Sequence, residues 1–275
     1  MHSRRRAVVL ADLFAHVPLR PGLRADIRRR MSSPARHYHG LDHIADLWAL
    51  HRLLSCGHAL PLGCTDRLIA AAIVYHDAIF DLRRSDNEPA SAALWRSHAR
   101  LGGRLPRQQI ARVAAAIEAT GHHATGNYPG AASDSLRNWM LDLDLATIGF
   151  RAQHFRSNAA RLRAESRLVP AMQWRQRTKE FLGALRRKEQ IFHCPRIARA
   201  FESMARINLS EALKRLARDA ARDSGHAPAK HVLGSAFGRS RGAGHPGLAH
   251  EINDPNQESP LLAAAQRRAR ARRSS

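Results

Sequence analysis

The chain has 275 residues, 45 Lys and Arg against 23 Asp and Glu for a net charge of +22, and 44% hydrophobic residues. That length and apolar fraction suffice for one large domain or two small ones around a buried core, and they exclude a wholly disordered chain. The longest apolar run, at 68–75, has 8 residues, far short of the roughly 20 that a membrane-crossing helix needs.

In chain order, Arg4, Arg5 and Arg6 precede an apolar stretch at 7–14 that faintly imitates a secretory leader. Asp12 interrupts it and no small-residue cleavage site follows, so it reads as an ordinary first helix. Leu47, Leu50 and Leu54 continue a helical stripe that begins at His43. Ile69, Ile73, His76 and Phe80 follow one another at three- and four-residue steps, the spacing of a second helical face. Further helical segments are predicted at 87–101, 106–120, 133–148, 151–168, 170–187 and 195–216. Pro106, Pro170 and Pro195 stand where first-turn prolines belong, and Gly102, Gly103 and Gly149 stand where helices stop. No alternating strand pattern is found, and the expected fold is all-α: one helical domain over 1–221. From 222 to 275 the chain is rich in Gly, Ser, Pro, His and Arg without periodicity and is expected to be a disordered basic tail, with a short basic helix at 261–273 as an alternative.

Cys56, Cys64 and Cys194 are odd in number and form no C-x-x-C pair, which argues against a disulfide framework or cysteine-rich zinc site and places the chain in a reducing cytoplasm. Only four of the 45 basic residues are Lys. Such an Arg excess in an Ala-rich chain reads as compositional bias, and no nucleic-acid signature with interleaved aromatics accompanies it. A generally basic surface is therefore favoured over a dedicated nucleic-acid site, and anionic small molecules suit it either way.

The chemistry lies in His and Asp residues set among apolar segments. His39 and His43 are four apart, which on a helix puts them on one face. His76 and Asp77 end the apolar run, and Asp142 and Asp144 lie within the apolar stretch 139–148. Burying such groups is costly unless they are paired or bind metal. Three apolar helices that each carry them point to a metal site.

The order His43, His76-Asp77, Asp144 resembles the signature of the HD superfamily of metal-dependent phosphohydrolases, in particular a bacterial branch of unassigned substrate. The matching pieces are Ser33, Arg36, Tyr38, His39 and His43, then Tyr75 to Asp81 (Y-H-D-A-I-F-D), Asn87 to Ala92, Thr120 to His123, and Asp142 to Gly149. The resemblance covers about 5–212, and Gly40 stands where that branch usually has Asn. It implies a divalent ion (Mn, Mg, Co, Ni or Fe) on His43, His76, Asp77 and one further Asp. Residues two apart on a helix diverge by roughly 200°, so only one faces inward. Asp144 is preferred, because it is placed with Met140, Leu141 and Ile148 and the resemblance puts the last ligand in the helix segment that ends in a Gly like Gly149, with Asp142 as second choice. The ion would acidify a water and neutralise phosphoryl charge. Glu88 is a candidate proton shuttle and Arg36 a fork for a substrate phosphate, and His39, His122 and His123 could widen the site to a second metal or protonate a leaving oxygen, His123 being the preferred catalytic residue of the three. The expected activity is hydrolysis of a small nucleotide-like phosphomonoester or phosphodiester, with no membrane partner. The alternatives are a di-iron oxygenase on the same fold and a non-enzymatic anion- or nucleic-acid-binding protein.

Overall fold

A computed structural model describes residues 2–102, 105–126 and 134–223. The expected tail and its basic helix lie outside the described residues, apart from the last two residues of the final helix. Ten α-helices follow one another: α1 (His2–His16), α2 (Pro21–Met31), α3 (Leu41–Ser55), α4 (Asp66–Tyr75), α5 (Asn87–Gly102), α6 (Arg107–Thr120), α7 (Ser135–Leu145), α8 (Ala152–Glu165), α9 (Ala171–Arg187) and α10 (Pro195–Asp223), with a 3₁₀ turn at Ala146–Gly149 after α7. There is no strand among the described residues, as the uniformly helical spacing predicts.

The centre is α4. Its side chains from Leu68 to Tyr75 are all buried, the signature of a helix enclosed on every side. The alanines at 70, 71 and 72 let neighbours approach closely, and α1, α3, α5, α6 and α7 pack around it. Thr65 caps its start by accepting the Leu68 N–H at 3.4 Å, and Asp134 caps α7 by accepting from Leu136 and Arg137; such caps satisfy N–H groups that the helix itself leaves free.

The large aromatic side chains bury their rings and satisfy their polar ends, as buried Trp requires. Trp48 donates to Asp12 Oδ2 at 2.8 Å, Trp95 to the Ile110 carbonyl at 3.0 Å, and Trp139 to His51 Nδ1 at 3.2 Å. Farther along the chain, Ile197, Phe201, Ala205 and Leu209 of α10 are buried, and α10 packs on the 3₁₀ turn and α9. Gly149 makes that contact tight: a Cβ there would lie 2.6 Å from Phe201 Cβ and 2.7 Å from its carbonyl oxygen.

Two sequence expectations about faces are corrected. His39 and His43 do not share a helix face, because α3 starts only after Gly40, whose backbone is extended. Phe80 does not continue the α4 face, because that helix ends at Tyr75 with His76 as its cap. The prolines fall within one residue of expectation: Pro106 and Pro170 immediately precede their helices, and Pro195 opens α10.

Candidate metal centre

Three segments converge on one point. His43 stands in the first turn of α3, His76 and Asp77 follow the last turn of α4, and Asp144 lies in the last turn of α7. His43 Nε2 is 3.3 Å from His76 Nε2 and 3.2 Å from Asp144 Oδ1, and His76 Nε2 is 3.6 Å from that same oxygen. Asp77 Oδ2 lies beside the pair of imidazoles, 2.8 Å from His76 Nε2 and 3.8 Å from His43 Nε2. His43 and His76 are buried, while Asp77 and Asp144 keep 13% and 18% of their side chains exposed, so the cluster opens to solvent on its carboxylate side.

The donor set fits a divalent cation. Bonds of about 2.0–2.2 Å from N and O ligands place neighbouring ligands roughly 2.9–3.5 Å apart in octahedral or tetrahedral arrangements, and the observed separations bracket that range. His76 Nδ1 donates to the Ile73 carbonyl at 2.9 Å, which leaves the Nε2 lone pair turned toward the cluster, the usual support of a metal-binding imidazole. Asp77 Oδ2 is buried without an aligned hydrogen bond. Two carboxylates against two neutral imidazoles leave a charge that a divalent ion would neutralise. His43, His76 and Asp144 thus form a compact group able to hold a metal ion.

The electrostatics agree. Burial alone would lower the His76 pKa, but the Asp77 and Asp144 carboxylates outweigh it and hold that pKa well above the ordinary value. Burial pushes Asp77 and Asp144 the other way from what results; the nearby imidazoles, His76 foremost, hold both below the usual carboxylate range. Positive charge is favoured at this point whether a proton or an ion carries it.

No protein-family model, curated protein or solved structure matches the chain. What the centre can do is therefore read from its own atoms.

The remaining candidates divide. His123 Nε2 lies 2.9 Å from Asp144 Oδ2, and its Nδ1 is buried without a partner among the described residues, so this ring steadies the carboxylate from behind. Glu88, in the first turn of α5, is half-buried and its carboxyl carbon sits 3.1 Å from where a Gly121 Cβ would be. That places it against the turn that carries His122 and His123; it makes no hydrogen bond or ion pair among the described residues. His122 itself is exposed. Arg36 does not present an open fork: one terminal nitrogen donates to the Asp77 and His39 carbonyls at 2.6 and 2.8 Å, the other to the Ala78 carbonyl at 3.1 Å. It clamps the turn that aims Asp77.

Asp142 faces away from the cluster. Completely buried, it accepts the backbone N–H of His193 at 2.8 Å and of Cys194 at 2.6 Å, and contacts His193 Nδ1 at 2.9 Å. It fastens the start of α10, where a negative charge also suits the helix dipole.

One participant escapes sequence reasoning. Glu165, the last residue of α8, is only 4% exposed and lies 2.6 Å from His39 Nδ1, while also accepting from the His39 and Tyr38 backbone. Burial lowers the His39 pKa, but Asp77 and the Glu165 hydrogen bond outweigh it and raise it overall. The His39 ring packs against Phe80, with centroids 4.1 Å apart, and borders His43 at 6.1 Å. No local motif announces Glu165, which is 126 residues from its partner.

Proposed function

We propose that this chain is a metal-dependent phosphohydrolase of the HD type, cleaving a phosphomonoester or phosphodiester of a small nucleotide-like molecule. The observation that carries the reading is the convergence of His43, His76, Asp77 and Asp144 from three separate segments into one cluster with its carboxylate side open. His43, His76, Asp77 and Asp144 would hold the ion. A divalent ion bound there supplies an acidified water as nucleophile and neutralises charge on the phosphoryl oxygens.

The chain's own residues set the geometry. His123 holds Asp144 by its outer oxygen, which turns the inner one to the imidazoles. Arg36 fixes the Asp77 carbonyl and so the direction of that side chain. His39, whose pKa Asp77 and the Glu165 hydrogen bond raise above the ordinary histidine value, stands at the rim and would give a proton to the departing oxygen. Glu88, a carboxylate with no charge partner among the described residues, is the residue suited to receive one.

The test is a screen of phosphorylated metabolites with Mn, Mg, Co, Ni and Fe on protein purified without oxygen, beside elemental analysis. Release of phosphate or of a phosphomonoester, abolished in His76→Ala and Asp77→Ala with helical content retained, supports the proposal. Unchanged metal content in both variants contradicts it. Two irons per chain with oxygen-dependent turnover would replace it with oxygenase chemistry.

A further inference from the structure

Helix α8 and the first half of α9 take little part in the core, with Phe155 of α8 packing at its edge. No apolar residue of α8 is fully buried, and the first buried side chain of α9 is Leu182. Helices of this length draw their stability mainly from covering an apolar face. Here Phe155 packs on the core's edge and α8 touches the 3₁₀ turn, while Arg161 donates to the His37 carbonyl, Glu165 holds His39, and Arg163 closes the α8–α9 turn by bonding the Ser166 and Val169 carbonyls.

The tip between the two helices exposes Leu168 (87%) and Met172 (78%), four residues apart and two of six large apolar side chains left exposed among the described residues. Around them the charge is concentrated. Residues 151–189 hold eleven Arg and Lys against three Asp and Glu, a net of +8 out of +22 in about a seventh of the chain. Arg156, Arg167, Arg177, Lys179, Arg186 and Arg187 are all exposed, running from the tip back along both helices. Glu165, one of the three acids, is turned inward on His39.

We infer that the α8–α9 tip is a peripheral docking surface for an anionic lipid bilayer. A second copy of the chain is repelled by its own charge. A nucleic acid matches the cations but offers nothing to Leu168 and Met172. An anionic bilayer satisfies both, taking the apolar pair at the acyl boundary and the cations at the headgroups. The expectation of no membrane partner rests on the absence of a spanning helix, and among the described residues none is long and apolar enough to cross; surface docking needs none.

The chain carries its own probe. Of its four Trp, three (Trp48, Trp95 and Trp139) are buried, whereas Trp174, just behind the tip and stacked under Arg163, is half-buried. The experiment uses the full chain with vesicles of phosphatidylcholine alone or with about a third phosphatidylglycerol, and with duplex DNA as the competing polyanion. Binding to the acidic vesicles alone is expected, weakened by salt and accompanied by quenching of Trp174 when the acyl chains are brominated. The double variant Leu168→Asp, Met172→Asp is expected to lose about tenfold or more of that affinity, lose the quenching, and keep its helical content and whatever DNA affinity the parent shows. Equal vesicle binding by parent and variant overturns the inference, as does binding without quenching of Trp174. DNA binding with no vesicle binding overturns it in favour of a nucleic-acid surface.

Discussion

Replacing Asp142 by Ala should destabilise the fold and leave the metal in place, whereas Asp144→Ala should do the reverse. Asp142 is wholly buried and accepts three hydrogen bonds, two from backbone N–H groups of the segment that leads into α10. Hydrogen bonds to a charged acceptor contribute about 1.5–3 kcal/mol each, and a buried donor left unpaired costs about 1–3 kcal/mol. Relief of the carboxylate's own burial penalty offsets part of that sum. The net expected loss is about 3–5 kcal/mol, or about 10 °C in Tm for a domain of this size. Calorimetry and elemental analysis on both variants form the assay. Asp142→Ala should melt early with full metal content. Asp144→Ala should lose its metal, and its Tm should stop responding to added ion. An Asp142 variant that keeps its Tm and loses its metal would refute the reasoning.

Three more outcomes are expected. Gly149→Ala forces a Cβ to within 2.7 Å of the Phe201 backbone oxygen and should cost about 1–3 kcal/mol by overpacking, seen as a lower denaturant midpoint at unchanged slope. Arg36→Lys keeps the charge but cannot span the Asp77 and Ala78 carbonyls with two nitrogens. It should weaken metal affinity by about 10-fold or more in a competition titration with a chelating dye, and an unchanged affinity would remove Arg36 from the centre. The raised His76 pKa means that the metal-free fold still carries that proton above the ordinary histidine range. Its contribution to stability is complete below the unfolded value and is lost as pH rises through the raised folded value. Metal binding should therefore displace a proton as it engages His76, measurable by calorimetry in buffers of different ionisation enthalpy, and affinity should rise with pH.

How much of this was legible beforehand depends on how local the cause is. The helices were readable because apolar spacing at three and four residues is a local property, and Pro106, Pro170 and Pro195 mark their starts to within one residue. His43, His76 and Asp144 stood out as polar groups beside apolar stretches, in an order that resembles a known metal-binding signature. Helical geometry sends residues two apart to opposite sides, so only one of Asp142 and Asp144 can face the site. The preference for Asp144 rests on its apolar neighbours and on the resemblance, and the structure puts Asp142 on the His193–Cys194 segment that leads into α10. Other features depend on contacts between distant segments. Glu165 reaches His39 only because α8 folds back across the start of α3. Arg36 looked like an open cation because nothing near it in sequence shows that the Asp77 and Ala78 carbonyls will fill its fork. His39 lies outside α3 because Gly40, in extended backbone, caps that helix; a Cβ at Gly40 would lie 3.3 Å from the Met31 and Arg36 carbonyls, a crowding that exists only once the segment 31–40 has folded.

X-ray absorption on the protein loaded with one equivalent of Mn or Co addresses the central claim directly. Two imidazoles and carboxylate oxygens at about 2.0–2.2 Å are expected, with the imidazole scattering reduced in His76→Ala. A shell of oxygen alone, identical in protein and variant, would show that the ion sits elsewhere and that the cluster of His43, His76, Asp77 and Asp144 is not a metal site.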